Sequence, residues 1–549
     1  MPGGPSLRVS ASIHEMADRH NAGGVIRGTL GSGAWQLAAL LLCVPTVIPL
    51  AAAAWSWTDI DSELLAHLGR FVLPSAALET LALLGTVLVG VLVVGVTSAA
   101  LVALTDFPGR RVFSLLLLLP LALPGYVAAV AFLGLLDRSG DITQWLGGAM
   151  PEVRNRWGLT AVLTAALYPY VFLITREAFR STGLRAMEAA RSFGMSPARA
   201  FFRVALPMAT PWIAAGASLA LMEVLADFGT VAAFNYDTLS VAIYKAWYGL
   251  FSTQSALQIA SVMLIFVVCL LGMEAHARRH MRFEAVGVDA IRRIPLGPRQ
   301  RWVAAGWCGL VFGACFVLPV SWLVFGSLRH LAVLDARFLE WALNSATLAI
   351  SAAGLIVAAA AFLASSVHLA PRPGLRMAQR VATLGYAFPG ALLAVGLYVP
   401  ISELAGMAGG GLAASVAGGG LVLMLMGYGV RFLAVAHAPV ASSTMRLPRS
   451  VLDSARLAGM PRAGILRRIY WPALRSSVAV GALLVFVDVM KEMPITLMMR
   501  PFGWDTLATR IFEYTSEGQW EMAAVPSLLL VLVGLAPIWL LHRQTGDTR

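Results

Sequence analysis

Twelve apolar stretches, each long enough to cross a lipid bilayer, dominate this 549-residue chain. A membrane-spanning α-helix needs roughly 17–25 predominantly apolar residues. Because the bilayer core offers no water to backbone polar groups, such stretches must satisfy their hydrogen bonds internally, as helices. The sequence therefore predicts an all-α membrane protein with about 12 transmembrane helices. We place these at residues 35–54, 78–104, 112–136, 157–177, 208–226, 255–273, 303–325, 343–366, 380–401, 412–436, 474–490 and 523–541.

The charge distribution orients these helices. Charged residues make up only 13% of the chain, whereas a soluble domain has about 25%. The net charge of +12 is concentrated in two arginine-rich segments, 176–203 and 446–475, while one loop on the opposite side carries Asp59, Asp61 and Glu63. Positive residues stay preferentially in the cytoplasm. We therefore expect both segments and both termini to be cytoplasmic, and the excess charge requires no nucleic acid partner.

The chain repeats itself at one constant offset. Pro124 falls on Pro389 and Pro207 falls on Pro472, each pair in the same local context. One offset maintained through several helices indicates an internal duplication into two tandem six-helix halves. Parallel halves of this kind are related by a pseudo-twofold axis along the membrane normal, with the transport pathway at their interface. The predicted division is a cytoplasmic N-terminal segment 1–34, a first half 35–273, a cytoplasmic linker 274–302, a second half 303–541 and a cytoplasmic tail 542–549.

Pro124 and Pro389 interrupt apolar stretches at equivalent positions. Proline removes a backbone donor and kinks a membrane helix unless neighbouring groups compensate. The prediction is a symmetric pair of helix kinks. Such kinks either let a central cavity change shape or serve only in packing, and the sequence leaves both interpretations open.

The most specific repeat is a short cytoplasmic segment. Glu188-Ala189-Ala190-Arg191-Ser192-Phe193-Gly194 returns as Asp453-Ser454-Ala455-Arg456-Leu457-Ala458-Gly459. A glycine after a short helix adopts positive φ at little cost, which ends the helix. Pro197 and Pro461 follow and discourage its continuation. An arginine-rich amphipathic stretch then leads to the next membrane helix.

These segments resemble the coupling segments of bacterial ABC importer permeases of the binding-protein-dependent type, here with both halves fused in one polypeptide. The resemblance covers about residues 35–541 and implies a location in the bacterial inner membrane. The second copy departs from the pattern, with Asp for Glu and Ser for the first Ala. The resemblance also implies two copies of an ABC ATPase at the cytoplasmic face. The residues that it assigns to ATPase contact are Glu188, Ala189, Ala190, Gly194, Asp453, Ala455 and Gly459.

The chain itself has no P-loop for ATP. That motif needs Gly-Lys followed by Ser or Thr, and neither Lys245 nor Lys491 stands in such a context. We therefore expect no catalytic residues and no cofactor in this chain, with ATP-Mg on the partner ATPase subunit.

Two acids in each half also repeat. Glu223 falls on Asp488 and Asp227 falls on Glu492, and each pair has the i, i+4 spacing that places both carboxylates on one helical face. Ionisable groups in membrane segments usually face water, a partner or a substrate route. Our hypothesis is a girdle of these four carboxylates at the outer part of the translocation path, which attracts a cation and transiently ligates a metal ion. The alternative is helix ends whose acids are solvated or paired with Lys491 and nearby arginines.

Motifs on the outer side narrow the resemblance to ferric-iron importer permeases. They are Asp227-Phe228-Gly229-Thr230-Val231 with Asp237-Thr238-Leu239 in the first half, and 491–496 with 500–510 in the second. The resemblance implies that Fe(III) is delivered by a periplasmic binding protein, which docks on loops 227–254 and 491–522, and enters by alternating access. Permeases for thiamine, polyamines, phosphonates or sulfate share the architecture and remain alternatives. An ion-driven secondary transporter is an alternative from another class, but it would not need the repeated coupling segment.

Overall fold

The described part of the chain forms a bundle of long helices with one short pair of strands. The computed structural model describes residues 32–58, 68–138, 140–147, 151–279, 293–331, 334–369, 372–408 and 420–546. Residues 1–31 of the predicted N-terminal segment 1–34, residues 280–292 of the linker 274–302 and residues 547–549 of the tail 542–549 lie outside the described residues.

The helices follow one another in the same order in the two halves. In the first half they are α1 Ser32–Leu41, α2 Val44–Trp55, α3 Leu73–Leu104, α4 Arg110–Leu116, α5 Gly125–Leu136, α6 Asp141–Trp145, α7 Arg156–Ala178, α8 Leu184–Ser192, α9 Pro197–Ala200, α10 Leu206–Ala226, α11 Gly229–Ala233, α12 Leu239–Tyr244 and α13 Thr253–Arg279. In the second they are α14 Pro298–Phe312, α15 Leu318–Arg329, α16 Ala336–Leu369, α17 Pro373–Leu384, α18 Gly390–Ala408, α19 Gly420–Met445, α20 Arg449–Leu457, α21 Arg462–Ile465, α22 Trp471–Met490, α23 Pro494–Met499, α24 Leu507–Ser516 and α25 Trp520–Gly546.

Short irregular turns join several of these helices. The 3-10 turns are Leu119–Ala122 and Gly385–Ala387, and the π-helical turns are Leu68–Val72, Phe179–Gly183, Phe201–Ala205, Lys245–Gly249, Gly313–Val317 and Leu466–Tyr470. The strands β1 Thr105–Asp106 and β2 Ile294–Pro295 form one parallel pair. The π-turns Phe201–Ala205 and Leu466–Tyr470 are separated by the offset of the repeat and directly precede α10 and α22, so the repeat extends to local backbone geometry.

The membrane-spanning helices agree with the predicted stretches. Ten helices of the described residues are long and apolar enough to cross a bilayer, and an eleventh span results if the bent pair Arg110–Ala122 and Gly125–Trp145 is one span. The two pieces of that pair meet at 92°. The first predicted stretch, 35–54, forms the shorter helices α1 and α2. The all-α membrane fold is confirmed.

The core of each half is built on equivalent helices. In the first half α3 packs along α7, and in the second α16 packs along α19. Small residues permit this close approach: a methyl group added to Gly95 would lie 2.8 Å from the Val171 side chain. Small residues at helix crossings are typical of membrane bundles, where van der Waals packing drives association.

The first span of each half packs against the other half. Helix α2 lies along α18, and helix α15, which packs mainly along α25 of its own half, also lies against α5. A methyl group added to Gly396 would lie 2.7 Å from Pro49 of α2, and one added to Gly134 would overlap Trp322 of α15. The indole N–H of Trp322 also donates to Asp141 at 2.9 Å. The two halves are therefore interlocked by an exchange of their first spans, which the sequence repeat does not reveal.

Candidate functional site: a charged cavity between the halves

A cavity of about 200 Å³ lies where the two halves meet, and all four repeated carboxylates line it. The lining residues are Leu121, Leu123, Pro124, Gly125, Tyr126, Ala166, Leu167, Tyr170, Glu223, Ala226, Asp227, Phe228, Gly229, Tyr386, Arg431, Phe432, Asp488, Lys491, Glu492, Met493 and Pro494. The tertiary structure thus brings together the acids that the repeat singled out. It places them at the carboxyl ends of α10 and α22, beside the breaks at Pro124 and Pro389.

Both prolines lie in complete helix breaks rather than in kinks of a continuous helix. Leu123 is extended (ψ 105°) between the 3-10 turn Leu119–Ala122 and α5, and Phe388 is extended (ψ 129°) between Gly385–Ala387 and α18. The physical reason is that a proline ring disfavours the helical conformation of the preceding residue. Each break therefore ends one helical piece and starts the next at the cavity wall.

The glycine after each proline gives a carboxylate room to approach. A methyl group on Gly125 would lie 2.7 Å from Oδ2 of Asp227, and one on Gly390 would lie 2.8 Å from Oε1 of Glu492. These distances are shorter than van der Waals contact. Each carboxylate consequently lies against the first turn of a helix, α5 or α18, where the helix dipole favours negative charge.

Asp227 and Glu492 have a structural task in addition. Asp227 accepts hydrogen bonds from the backbone N–H of Thr230 (2.8 Å), the hydroxyl of Thr230 (2.6 Å) and the N–H of Val231 (3.4 Å). Glu492 accepts from the N–H groups of Ile495 and Thr496, both at 3.0 Å, and from the Thr496 hydroxyl at 3.0 Å. Each thus caps the short helix that follows it, α11 or α23, by satisfying N–H groups that have no partner inside the helix.

Glu223 and Asp488 are less occupied. Glu223 accepts one hydrogen bond, from the hydroxyl of Tyr386 at 3.1 Å. The Asp488 carboxylate accepts none from the residues that the structure describes, and Lys491 is the cation that acts on it most strongly. Both side chains are partly buried. The four acids therefore form two classes. Asp227 and Glu492 cap helices, whereas Glu223 and Asp488 face the cavity and accept few hydrogen bonds from the described residues.

Two basic residues line the same cavity, and both come from the second half. At the offset of the repeat, Arg431 corresponds to Ala166 and Lys491 to Ala226, and these alanines also line the cavity. Lys491 donates to the carbonyl of Leu121 at 3.4 Å. Nη1 of Arg431 is buried and has no hydrogen-bond partner among the described residues.

The sequence reasoning missed Arg431 as a site residue. A signal was present, because an arginine inside the apolar stretch 412–436 is an intramembrane charge. The cavity is therefore chemically asymmetric, because each half contributes two carboxylates but both cations come from the second half. Within the described residues no three His, Cys, Asp or Glu side chains are arranged to hold a metal ion. The site resembles a charged lining rather than a chelating centre.

The two predicted coupling segments have matching geometry. Helices α8 and α20 end two residues before Gly194 and Gly459, whose φ angles are 83° and 73°. The N–H of the following residue then bonds the carbonyl five residues back, Met195 to Ala190 (3.1 Å) and Met460 to Ala455 (3.0 Å). This is the Schellman pattern of a helix that ends at a left-handed residue. The predicted positive φ at both glycines is confirmed.

The two helices present equivalent faces to solvent. Glu188 and Ala189 are exposed in α8, as is Asp453 in α20, whereas Ala190 and Ala455 are buried. Large apolar side chains extend this surface: Phe193 is 86% exposed and Leu457 is 89% exposed. The buried alanines therefore hold the helices against the bundle, and the surface available to a partner consists of acidic, small and apolar side chains.

A charge network lies in the predicted outer loop of the second half. Arg500 and Arg510 both pair with Asp505, and both also pair with Glu513 at 2.6 Å. The corresponding loop of the first half has an exposed ion pair between Lys245 and Asp237, at 2.5 Å. The repeated Asp-Thr-Leu motif thus contributes its aspartate to an ion pair in both halves.

Comparison with known proteins defines the class. Residues 91–283 match the family model described as the binding-protein-dependent transport system inner membrane component. The chain is also 24% identical over 522 residues to the Fe(3+)-transport system permease protein FbpB 2 of Haemophilus influenzae, an alignment that covers 92% of this chain and 96% of that protein. The family match places residues 91–283 with the ABC importer permeases, and the full-length alignment extends the likeness to both halves, which are fused in one polypeptide.

Other relatives match less than half of the chain. The sulfate transport system permease protein CysT of Escherichia coli is 27% identical over 244 residues, which is 42% of this chain and 85% of that protein. A probable molybdenum ABC transporter permease protein of Haloferax volcanii is 29% identical over 194 residues, 35% of this chain and 67% of that protein.

Proposed function

We propose that this permease moves Fe(III), delivered by a periplasmic binding protein, into the bacterial cytoplasm. The observation that carries the proposal is the cavity between the halves, lined by two carboxylates from each. Carboxylate oxygen is a suitable ligand type for a hard cation. Glu223 and Asp488, whose oxygens are least occupied, are the residues we assign to transient contact with the ion. Four acids against Arg431 and Lys491 leave the lining formally negative.

The lengths of the alignments with known proteins support iron as the substrate. The relative named for Fe(3+) transport aligns along both halves of this chain. The fused arrangement is contained in that alignment, whereas the alignments with sulfate permeases reach 42% or 44% of the chain in two bacterial cases.

The driving force enters through α8 and α20. We assign their exposed faces, with Glu188 and Asp453, to grooves on two copies of an ABC ATPase. The positive φ of Gly194 and Gly459 sets the direction in which the chain leaves each helix. Closure of the ATPase dimer then moves the two halves relative to each other. For this to work, the ATPase must bind one conformation of the permease more tightly than the other.

With α8 and α20 at the cytoplasmic face, we assign both termini and the linker to the cytoplasm and the loops 227–254 and 491–522 to the outer side. Exposed apolar side chains in these loops suit a docking surface: Phe251 is 86% exposed, and Phe502 is fully exposed. We assign these loops to the binding protein.

A second candidate is import of a sulfate-like oxyanion. Arg431 and Lys491 are the specific observation in its favour, because a buried guanidinium with an unpaired N–H is a good donor to an oxyanion. Relatives named for sulfate and for molybdenum transport are similar to this chain in sequence, which supports this second candidate.

Uptake in a strain that lacks the chain separates the candidates. The strain is complemented with the wild type, with Glu223→Gln/Asp488→Asn or with Arg431→Gln, and is supplied with radiolabelled Fe(III) or sulfate. We expect deletion to abolish iron uptake alone, and the carboxylate variant to reduce it without loss of the protein from the membrane. Loss of sulfate uptake instead, with Arg431→Gln as the more damaging variant, would assign the oxyanion. Thiamine and putrescine serve as further substrates in the same assay.

A further inference from the structure

Five arginines are found on the side of the helix bundle where α8 lies. They are Arg110, Arg111, Arg176, Arg180 and Arg293. The charges of Arg293, Arg111 and Arg180 all act on the Arg110 guanidinium, and that of Arg180 also acts on Arg176. The carboxylates that act on the same two guanidinium groups are Asp106 and Glu177, one on each. Like charges that act on one another disfavour their charged forms, and a bound anion would offset this repulsion.

The chain brings these residues together by a long-range contact. Arg293 stands at the far end of the linker, next to β2, and β2 pairs with β1 in the register Thr105 to Ile294 and Asp106 to Pro295. This backbone pairing fixes Arg293 beside the turn that follows α3. The Arg110 side chain is only 15% exposed and lies 3.9 Å from Asp106. Arg110, Arg176 and Arg293 are therefore partly buried and held in place, whereas Arg111 and Arg180 are exposed beside them.

The protein orients these guanidinium groups but leaves donors unused. Nη1 of Arg176 donates to the carbonyl and the hydroxyl of Ser114, both at 3.0 Å, and Nη1 of Arg110 donates to the carbonyl of Val102 at 3.3 Å. The Nε atoms of Arg176 and Arg293 are buried and have no hydrogen-bond partner within the described part of the chain. Unpaired buried donors are costly, and charged donors more so. A ligand with several acceptor oxygens would satisfy them.

We propose that this cluster binds the phosphate of an anionic phospholipid in the leaflet next to α8. Guanidinium groups bind phosphate oxygens in pairs and with defined geometry. The depth favours a lipid: Arg176 lies in the last turns of the span Arg156–Ser181, and Arg110 begins the broken span. A phospholipid phosphate lies at this depth, and basic pockets between membrane helices on the cytoplasmic side bind such headgroups. An acidic group on a soluble subunit would have to enter the membrane interface to reach Arg176.

The second half provides a natural control. At the offset of the repeat, the residues that correspond to Arg110, Arg111, Arg176 and Arg180 are Leu375, Arg376, Ala441 and Met445. The site is therefore not part of the symmetric transport machinery. Because the turn Phe179–Gly183 leads directly from α7 into α8, a lipid bound at Arg180 would also stiffen the base of one coupling segment and not the other.

Equilibrium binding to the purified full-length chain in neutral detergent tests the proposal. The probes are dioctanoyl-phosphatidylglycerol, dioctanoyl-phosphatidylcholine and inorganic phosphate. We expect saturable binding of phosphatidylglycerol alone. Arg110→Gln/Arg293→Gln should weaken it roughly 25-fold, or about fivefold per arginine removed. The matched control Arg376→Gln/Arg380→Gln removes the same charge from exposed positions of α17 and should leave it unchanged.

Several outcomes would overturn the proposal. Equal affinity of the wild type for the two lipids would refute it whether or not any variant folds. Inorganic phosphate that binds as tightly as the lipid and displaces it would make the ligand a soluble anion. Loss of ATPase-subunit assembly in Arg110→Gln/Arg293→Gln with unchanged lipid binding would make the cluster a protein contact. Should that variant aggregate, Arg110→Lys/Arg293→Lys keeps the charge and is expected to retain selective binding of phosphatidylglycerol.

Discussion

The division of the four cavity acids into two classes leads to a stability prediction with internal controls. Truncation of Asp227 or Glu492 removes the cap of α11 or α23, whereas truncation of Asp488 or Glu223 removes an acid of the same type from the same cavity without uncapping a helix. Asp227→Ala is thus matched by Asp488→Ala, and Glu492→Ala by Glu223→Ala. If charge in the cavity alone mattered, the members of each pair would behave alike.

The magnitude follows from the hydrogen bonds. Glu492→Ala leaves the N–H groups of Ile495 and Thr496 without their acceptor, and a buried unsatisfied donor costs about 1–3 kcal/mol. Loss of an N-cap costs about 0.5–2 kcal/mol in proteins generally. We expect a loss of about 3 kcal/mol for Glu492→Ala. For Asp227→Ala we expect about 2 kcal/mol, because one of its two backbone bonds is long, at 3.4 Å.

The controls should cost less. Glu223→Ala loses the hydrogen bond from Tyr386, worth about 1 kcal/mol. Asp488→Ala loses no hydrogen bond from the described residues, and Lys491 keeps its bond to the Leu121 carbonyl. Unfolding of the purified variants in mixed detergent micelles with rising SDS, followed by circular dichroism, gives the free-energy differences. The reasoning is refuted if Asp488→Ala proves as destabilising as Asp227→Ala.

Two further predictions concern glycines. Gly194→Ala and Gly459→Ala each place a side chain in the left-handed region, which costs about 1–2 kcal/mol. Because nothing beyond the neighbouring residues lies within 4 Å of the added methyl group, we expect little loss of folded permease, but shifted helix ends and reduced substrate-stimulated ATPase activity in the assembled importer. Unchanged stimulation would contradict the coupling assignment. Gly396→Ala should destabilise the permease by about 1–3 kcal/mol, because the added methyl group clashes with Pro49. The control Gly406→Ala, in the same helix, places its methyl group in open space and should be neutral or stabilising. Equal thermal stability of the two variants would argue against the packing of α2 on α18.

Much of the architecture could be predicted because the signals are local. Apolar stretches of membrane length predict the spans, and the constant offset predicts two equivalent halves. The same offset selected Glu223, Asp227, Asp488 and Glu492, since the i, i+4 spacing fixes a shared helical face. It also located the coupling segments, whose terminal glycines adopt the expected positive φ.

Other features depended on partners distant in sequence. The cap that Asp227 forms is itself local, because its donors lie three and four residues further along the chain. The gathering of all four acids at one cavity is not local, because it requires the two halves to pack together. Arg431 joined the site only when α19 packed beside the breaks, and Arg293 reached Arg110 only through the pairing of β1 with β2.

The sequence by itself determined that this chain is a duplicated helical membrane protein with two coupling segments and a repeated set of acids. Hydrophobicity, proline and glycine act on the nearest few residues, so a reader of the sequence can apply them directly. The tertiary structure decided that the first spans are exchanged, that the prolines break their helices at one shared cavity, and that the cavity combines symmetric carboxylates with asymmetric cations. These features arise from contacts between residues in different halves, such as Pro49 with Gly396, and helix periodicity contains no information about partners so distant in the sequence.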